Sequence, residues 1–163
     1  MAITVGTDTY LTIAAADAYW SARGNATWAA ATDAVKEKAL IEATQYLDGA
    51  YSFIGYLADY EQLLAWPRSD VEVLSGNFRG AYYSSTTIPP QIENATAELA
   101  LEALSARLAP VQDRGGAIKR QKVDVIEVEY MDFAPSRKTY DFVSMLIKGL
   151  TNGSNNNVKL LRV

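Results

Sequence analysis

The sequence predicts a mainly α fold: a small bundle of about four helices with an inserted β-hairpin and an extended C-terminal tail. Three observations predict it. Long stretches around residues 33–51 and 90–108 repeat their apolar residues at helical spacing, residues 126–130 switch to strict alternation, and the chain closes on an apolar peptide behind a polar spacer. At 163 residues, 49% of them apolar, the chain has the size of one domain and enough material for a core. The expected organisation is a helical domain over 1–150, with the hairpin near 118–130, followed by a linker and tail over 151–163.

The first helix is expected over Ile13–Arg23, with Thr12 as N-cap and Gly24 as stop. Asn25–Thr32 reads as a connection whose Trp28 tucks against the core. The second helix, Asp33–Tyr51, sets Val35, Ala39, Leu40, Ala43, Tyr46, Leu47, Ala50 and Tyr51 on one arc. Glu37, Lys38, Glu42, Thr44, Gln45 and Asp48 fill the other. Ile41 sits among those polar residues, either as a lone exposed side chain or as a subunit contact.

Ser52–Pro90 is rich in Gly, Pro, Ser and Thr, and a connection of that length usually has a job. Glu61–Ala65 is expected to make one helical turn that Pro67 stops. Tyr51, Tyr56, Tyr60, Tyr82 and Tyr83 act here as core lids or interface anchors. Trp66, Pro67 and Arg68 form a structural corner, with Pro67 stiffening the chain so that Trp66 can bury its ring. The third helix opens at Pro90, where the missing N–H goes unmissed, and runs to Leu108. It bears two apolar stripes: Ile92, Ala95, Leu99, Ala103 and Ala106, then Ala97, Leu101, Leu104 and Leu108. Two stripes place it at the centre of the bundle, or between its own domain and a neighbour.

Gly115-Gly116 resets the chain after Pro110. Ile118–Val123 then pairs with Ile126–Tyr130 through a turn near Asp124, so that Lys119, Arg120 and Lys122 meet Glu127 and Glu129 across the hairpin. A last helix covers Tyr140–Leu150. Thr151–Asn157 is a polar linker, and Val158–Val163 is either a strand of the chain's own sheet or a tail offered to another protein by strand addition.

The chain has no Cys and no His, which removes thiolate chemistry, disulfides and the commonest acid/base group and metal ligand. No catalytic, cofactor or metal residues are assigned. Glu127, Glu129 and Asp132 read as a solvated strand face, and Gly115-Gly116 with Lys119 lacks the spacing of a phosphate loop. The N-terminus has no secretory pattern, and no stretch approaches the roughly 18 apolar residues of a membrane span. Net charge is −4, with one short basic cluster of Arg114, Lys119, Arg120 and Lys122. That balance argues against tight nucleic-acid binding.

The Leu64-Ala65-Trp66-Pro67-Arg68 turn after an amphipathic helix, followed by Ile88-Pro89-Pro90-Gln91-Ile92 opening a long second one, resembles the head–tail connector (adaptor) family of tailed phages. Some members of that family carry the label DnaT-like single-stranded DNA-binding. The resemblance spans Tyr10 to Leu150 and implies a structural protein of the virion neck, made in the host cytoplasm. It implies a homo-oligomeric ring, usually dodecameric, below the portal protein, bearing a downstream tail or tail-terminator protein and letting DNA pass without tight binding. Val158, Leu160, Leu161 and Val163 would then dock on the portal. Ile41, Leu101, Leu104, Tyr82 and Tyr83 would be candidates for the subunit interface. The rival implication is a DnaT-like single-stranded DNA-binding protein of replication.

Overall fold

The structure, a computed structural model, describes residues 3–73, 80–110, 120–123, 126–129 and 139–152. It is mainly α. Two compact units are distinguishable, one formed by Met1–Leu108 with Tyr140–Val163, the other by Ala109–Thr139.

In the first unit, α1 (Ile13–Ser21) starts where the Thr12 hydroxyl accepts the Ala15 N–H at 3.1 Å. It ends two residues before the expected last helical residue, Arg23. Gly24, at φ 64, turns the chain so that the Asn25 N–H returns to the Trp20 carbonyl at 3.2 Å. The stretch expected to be a plain connection holds a short helix, α2 (Ala26–Ala30). Its cap is Asn25, whose side chain accepts the Trp28 N–H at 3.0 Å, and an Asn before a short run of helix formers was its sequence signal. Trp28 is buried, as expected.

α3 (Asp33–Ala50) buries Lys36, Ala39, Leu40, Ala43, Thr44 and Leu47. The expected arc is therefore rotated at its start: Val35 is 44% exposed, while Lys36 is only 6% exposed. The stripe Lys36, Leu40, Ala43, Leu47 keeps strict helical spacing, and the lysine heads it because its stem can be buried while its ammonium finds a carboxylate. No helical turn forms over Glu61–Ala65. Instead β1 (Tyr56–Leu57) pairs antiparallel with β2 (Arg68–Ser69), and the intervening loop is held by side chains.

α4 (Pro90–Ser105) has Pro90 in its first turn and packs against each of the four other helices. It is the central helix. Ile92, Ala95, Ala97, Leu99 and Leu108 are buried, and Leu101, Ala103 and Leu104 are partly buried against the same core. Ala106 alone of the two stripes is exposed, because the helix ends at Ser105. α5 (Asp141–Leu146) is shorter than expected, although Ile147 and Leu150 beyond it are buried. The chain then lies beside Phe53, with the Ile54 N–H on the Leu150 carbonyl at 3.0 Å and the Asn152 N–H on the Ser52 carbonyl at 2.8 Å.

The second unit contains the hairpin, β3 (Arg120–Val123) and β4 (Ile126–Glu129), in antiparallel register. Arg120 stands opposite Glu129, and Lys122 opposite Glu127, the cross-strand charge order expected from the sequence. The expected linker starts as ordered chain, with Thr151 and Asn152 paired to Phe53 and Ser52, while its remainder and the docking residues Val158, Leu160, Leu161 and Val163 lie outside the described residues.

Candidate functional site

Among the described residues of the first unit, four exposed large apolar side chains fall within eight consecutive positions, on β1 and the loop that follows it. Tyr56, Leu57, Tyr60 and Leu63 are 71, 45, 87 and 74% exposed. Their backbone is nonetheless firmly framed. The Arg68 guanidinium donates to three carbonyls, Ile54 and Gly55 at 2.7 Å and Ala65 at 3.2 Å, tying both ends of the loop together. The Gln62 amide donates to the Leu64 and Pro67 carbonyls at 2.6 and 3.1 Å and accepts the Asp59 N–H at 3.0 Å. Gly55 is obligatory, since at φ 74 a Cβ would stand 2.3 Å from the Ser69 carbonyl oxygen.

Asp48, on α3, anchors this loop to the core. One carboxylate oxygen accepts the Tyr10 hydroxyl and the other accepts the Ala65 N–H at 3.0 Å. The Tyr10 oxygen in turn accepts the Trp66 N–H at 3.2 Å. Burial pushes the Asp48 pKa above the usual carboxylate value, although hydrogen bonds from Tyr10 and Ala65 work against it. Burial, reinforced by the Asp48 charge, also raises the Tyr10 hydroxyl. Trp66 is fully buried and meets Phe53 edge-on at 5.7 Å, across a cis peptide bond to Pro67. Trp66, Pro67 and Arg68 thus sit beneath the loop as its scaffold.

An open groove of about 470 Å³ runs beside α1 and α2. At its floor one Asp17 oxygen accepts the Lys36 ammonium at 2.8 Å and the Trp28 indole N–H at 2.7 Å. Burial acts to raise the Asp17 pKa, but those two donors outweigh it and pull it down. Nearby, burial and the Glu98 carboxylate push the Tyr19 hydroxyl up to about 12, and the Arg23 guanidinium lies 3.4 Å above the Tyr19 ring. No cluster of three or more potential metal ligands occurs among the described residues, and no described helix is long and apolar enough to cross a membrane.

The residues singled out as subunit-interface candidates are dispersed. Leu101, Leu104 and Tyr83 pack partly on the chain's own core, Ile41 is half-buried, and Tyr82 is exposed beside Glu72. Asp17, Lys36, Asp48 and Tyr10 were not singled out by the sequence reading. For Asp48 the available signal was its place two turns after Leu40 and one after the buried Thr44.

Cations are unevenly distributed. Ala109–Thr139 contains six of the chain's 15 Lys and Arg residues and five of its 19 acids, whereas the rest contains nine and 14. Arg120 and Lys122 stand two positions apart on β3, the spacing at which strand residues share a face.

A family model described as "Putative DnaT-like ssDNA binding protein" matches residues 2–163. No curated protein and no solved structure matches. The match spans nearly the whole chain and corrects the functional reading drawn from the connector resemblance. A virion neck protein attached to a portal gives way to the rival implication of that resemblance, the DnaT-like one. Net charge averages over the chain, while a binding surface depends on where the cations lie.

Proposed function

The chain belongs to this DnaT-like family, and on that premise we propose that it is a non-catalytic protein that binds single-stranded DNA through the cations of its hairpin unit. The observation that carries the reading is the concentration of Lys and Arg in Ala109–Thr139, in a chain that is otherwise clearly acidic. Arg120 and Lys122 are the phosphate contacts on the strand, and Arg114 and Lys119 precede them in sequence. The absence of His and Cys from the whole chain fits a role in binding rather than turnover.

Affinity is modest, because Glu129 and Glu127 oppose Arg120 and Lys122 in the register. With up to four phosphates neutralised, the log–log slope of affinity against salt is about −3, and binding at physiological salt is micromolar. Anisotropy of a labelled oligothymidylate, titrated at several sodium chloride concentrations, tests this. Replacing both Arg120 and Lys122 by Ala should weaken binding and reduce the slope by about 1.4. No binding at low salt, or binding unchanged by the double substitution, overturns the reading.

A further inference from the structure

We propose that the β1–β2 loop is a docking surface for a second protein, one that presents Lys or Arg side chains around an apolar recess. The proposal goes beyond DNA binding and concerns a different part of the chain.

Three properties of the loop support it. Tyr56, Leu57, Tyr60 and Leu63 all lie within one short segment and are far more exposed than large apolar side chains usually are. Tyrosines supply much of the contact energy at protein interfaces. The aliphatic Leu57 and Leu63 fit an apolar pocket, whereas a nucleobase platform would use aromatic rings throughout.

The frame is also already folded. Arg68, Gln62 and Asp59 fix the loop backbone, and Asp48 holds it to α3, so binding orders little more than the exposed side chains.

Charge then selects the partner. Asp59 and Glu61 lie within the loop and Asp70 just beyond β2, all three exposed. The one cation of this segment, Arg68, has its guanidinium bonded to three backbone carbonyls. Phosphates are therefore repelled, and a cationic rim is attracted.

The test uses the full chain as bait for a displayed library of random short peptides, counter-selected against Tyr60→Ala/Leu63→Ala. Both positions are exposed, and unchanged melting of the variant shows that its fold is intact. The expected result is enrichment of peptides that combine Lys or Arg with apolar residues. Their affinity should fall about tenfold or more in Tyr60→Ala/Leu63→Ala. It should also fall with added salt and in Glu61→Lys, while oligothymidylate binding stays unchanged in both variants. No enrichment, enrichment of peptides without cations, or binding that survives the loop substitutions overturns the proposal. A tenfold loss of oligothymidylate affinity in Tyr60→Ala/Leu63→Ala also overturns it, because the loop is then a DNA contact. Loss of DNA binding in Arg120→Ala/Lys122→Ala alone bears only on the hairpin.

Discussion

Truncating Trp66 to Ala removes the largest side chain that links the β1–β2 loop to the core. The ring is completely buried, packs edge-on against Phe53 at 5.7 Å, and sits where the Tyr10–Asp48 hydrogen bonds hold the loop to α3. Aromatic-to-Ala changes at such sites cost about 3–5 kcal/mol, part from transfer and part from the cavity left behind. For a chain of this size each kcal/mol moves the melting midpoint by roughly 2–4 °C. One detail sharpens the prediction: the Trp66 indole N–H is buried with no hydrogen-bond partner among the described residues. Leaving a donor unpaired carries a penalty of about 1–3 kcal/mol, which Trp66→Phe removes while keeping a ring against Phe53. That gain offsets the volume lost, so Trp66→Phe should cost much less than Trp66→Ala. Denaturant unfolding followed by far-UV circular dichroism measures both. A Trp66→Ala chain within about 1 kcal/mol of wild type would refute the scaffold role. Equal damage from Phe and Ala would refute the account of the unpaired N–H.

Gly55→Ala should destabilise by more than ~2 kcal/mol in the same assay, since a left-handed φ and a Cβ 2.3 Å from the Ser69 oxygen act together. Asp48→Asn leaves either the Tyr10 hydroxyl or the Ala65 N–H without an acceptor and should cost about 1–3 kcal/mol. Because the folded pKa of Asp48 is raised, wild type gains stability as pH falls through it, so the deficit of Asp48→Asn should widen on acidification. Asp17 is depressed and behaves oppositely: the stability it contributes is present above its unfolded pKa and lost as pH falls through the folded one, which Asp17→Asn should abolish in a pH series of melts. Lys36→Met keeps the buried stem and loses only the ammonium. Asp17 is half-exposed and rehydrates, so the denaturant midpoint should correspond to a loss of no more than about 1 kcal/mol.

Much of the fold is local in origin and therefore readable along the chain. Thr12, Pro90 and the Ile126–Glu129 alternation act on their immediate neighbours, so the start of α1, the start of α4 and the hairpin register follow from a few consecutive residues. The amphipathic periods of α3 and α4 likewise foretold a helical core with α4 able to bury two sides. Tertiary structure alone decided which polar groups enter that core. Lys36 is buried because Asp17, 19 residues earlier, lies opposite it, and Asp48 is half-buried because Tyr10, 38 residues earlier, reaches it. It also separated the tyrosines, placing Tyr51 and Tyr83 on the core and leaving Tyr56, Tyr60 and Tyr82 in solvent. Composition set the total charge, but its division between two compact units depends on which residues cluster in space. A polar side chain or an aromatic ring is stabilised inside or outside by partners distant in sequence, and helical period carries no record of those partners.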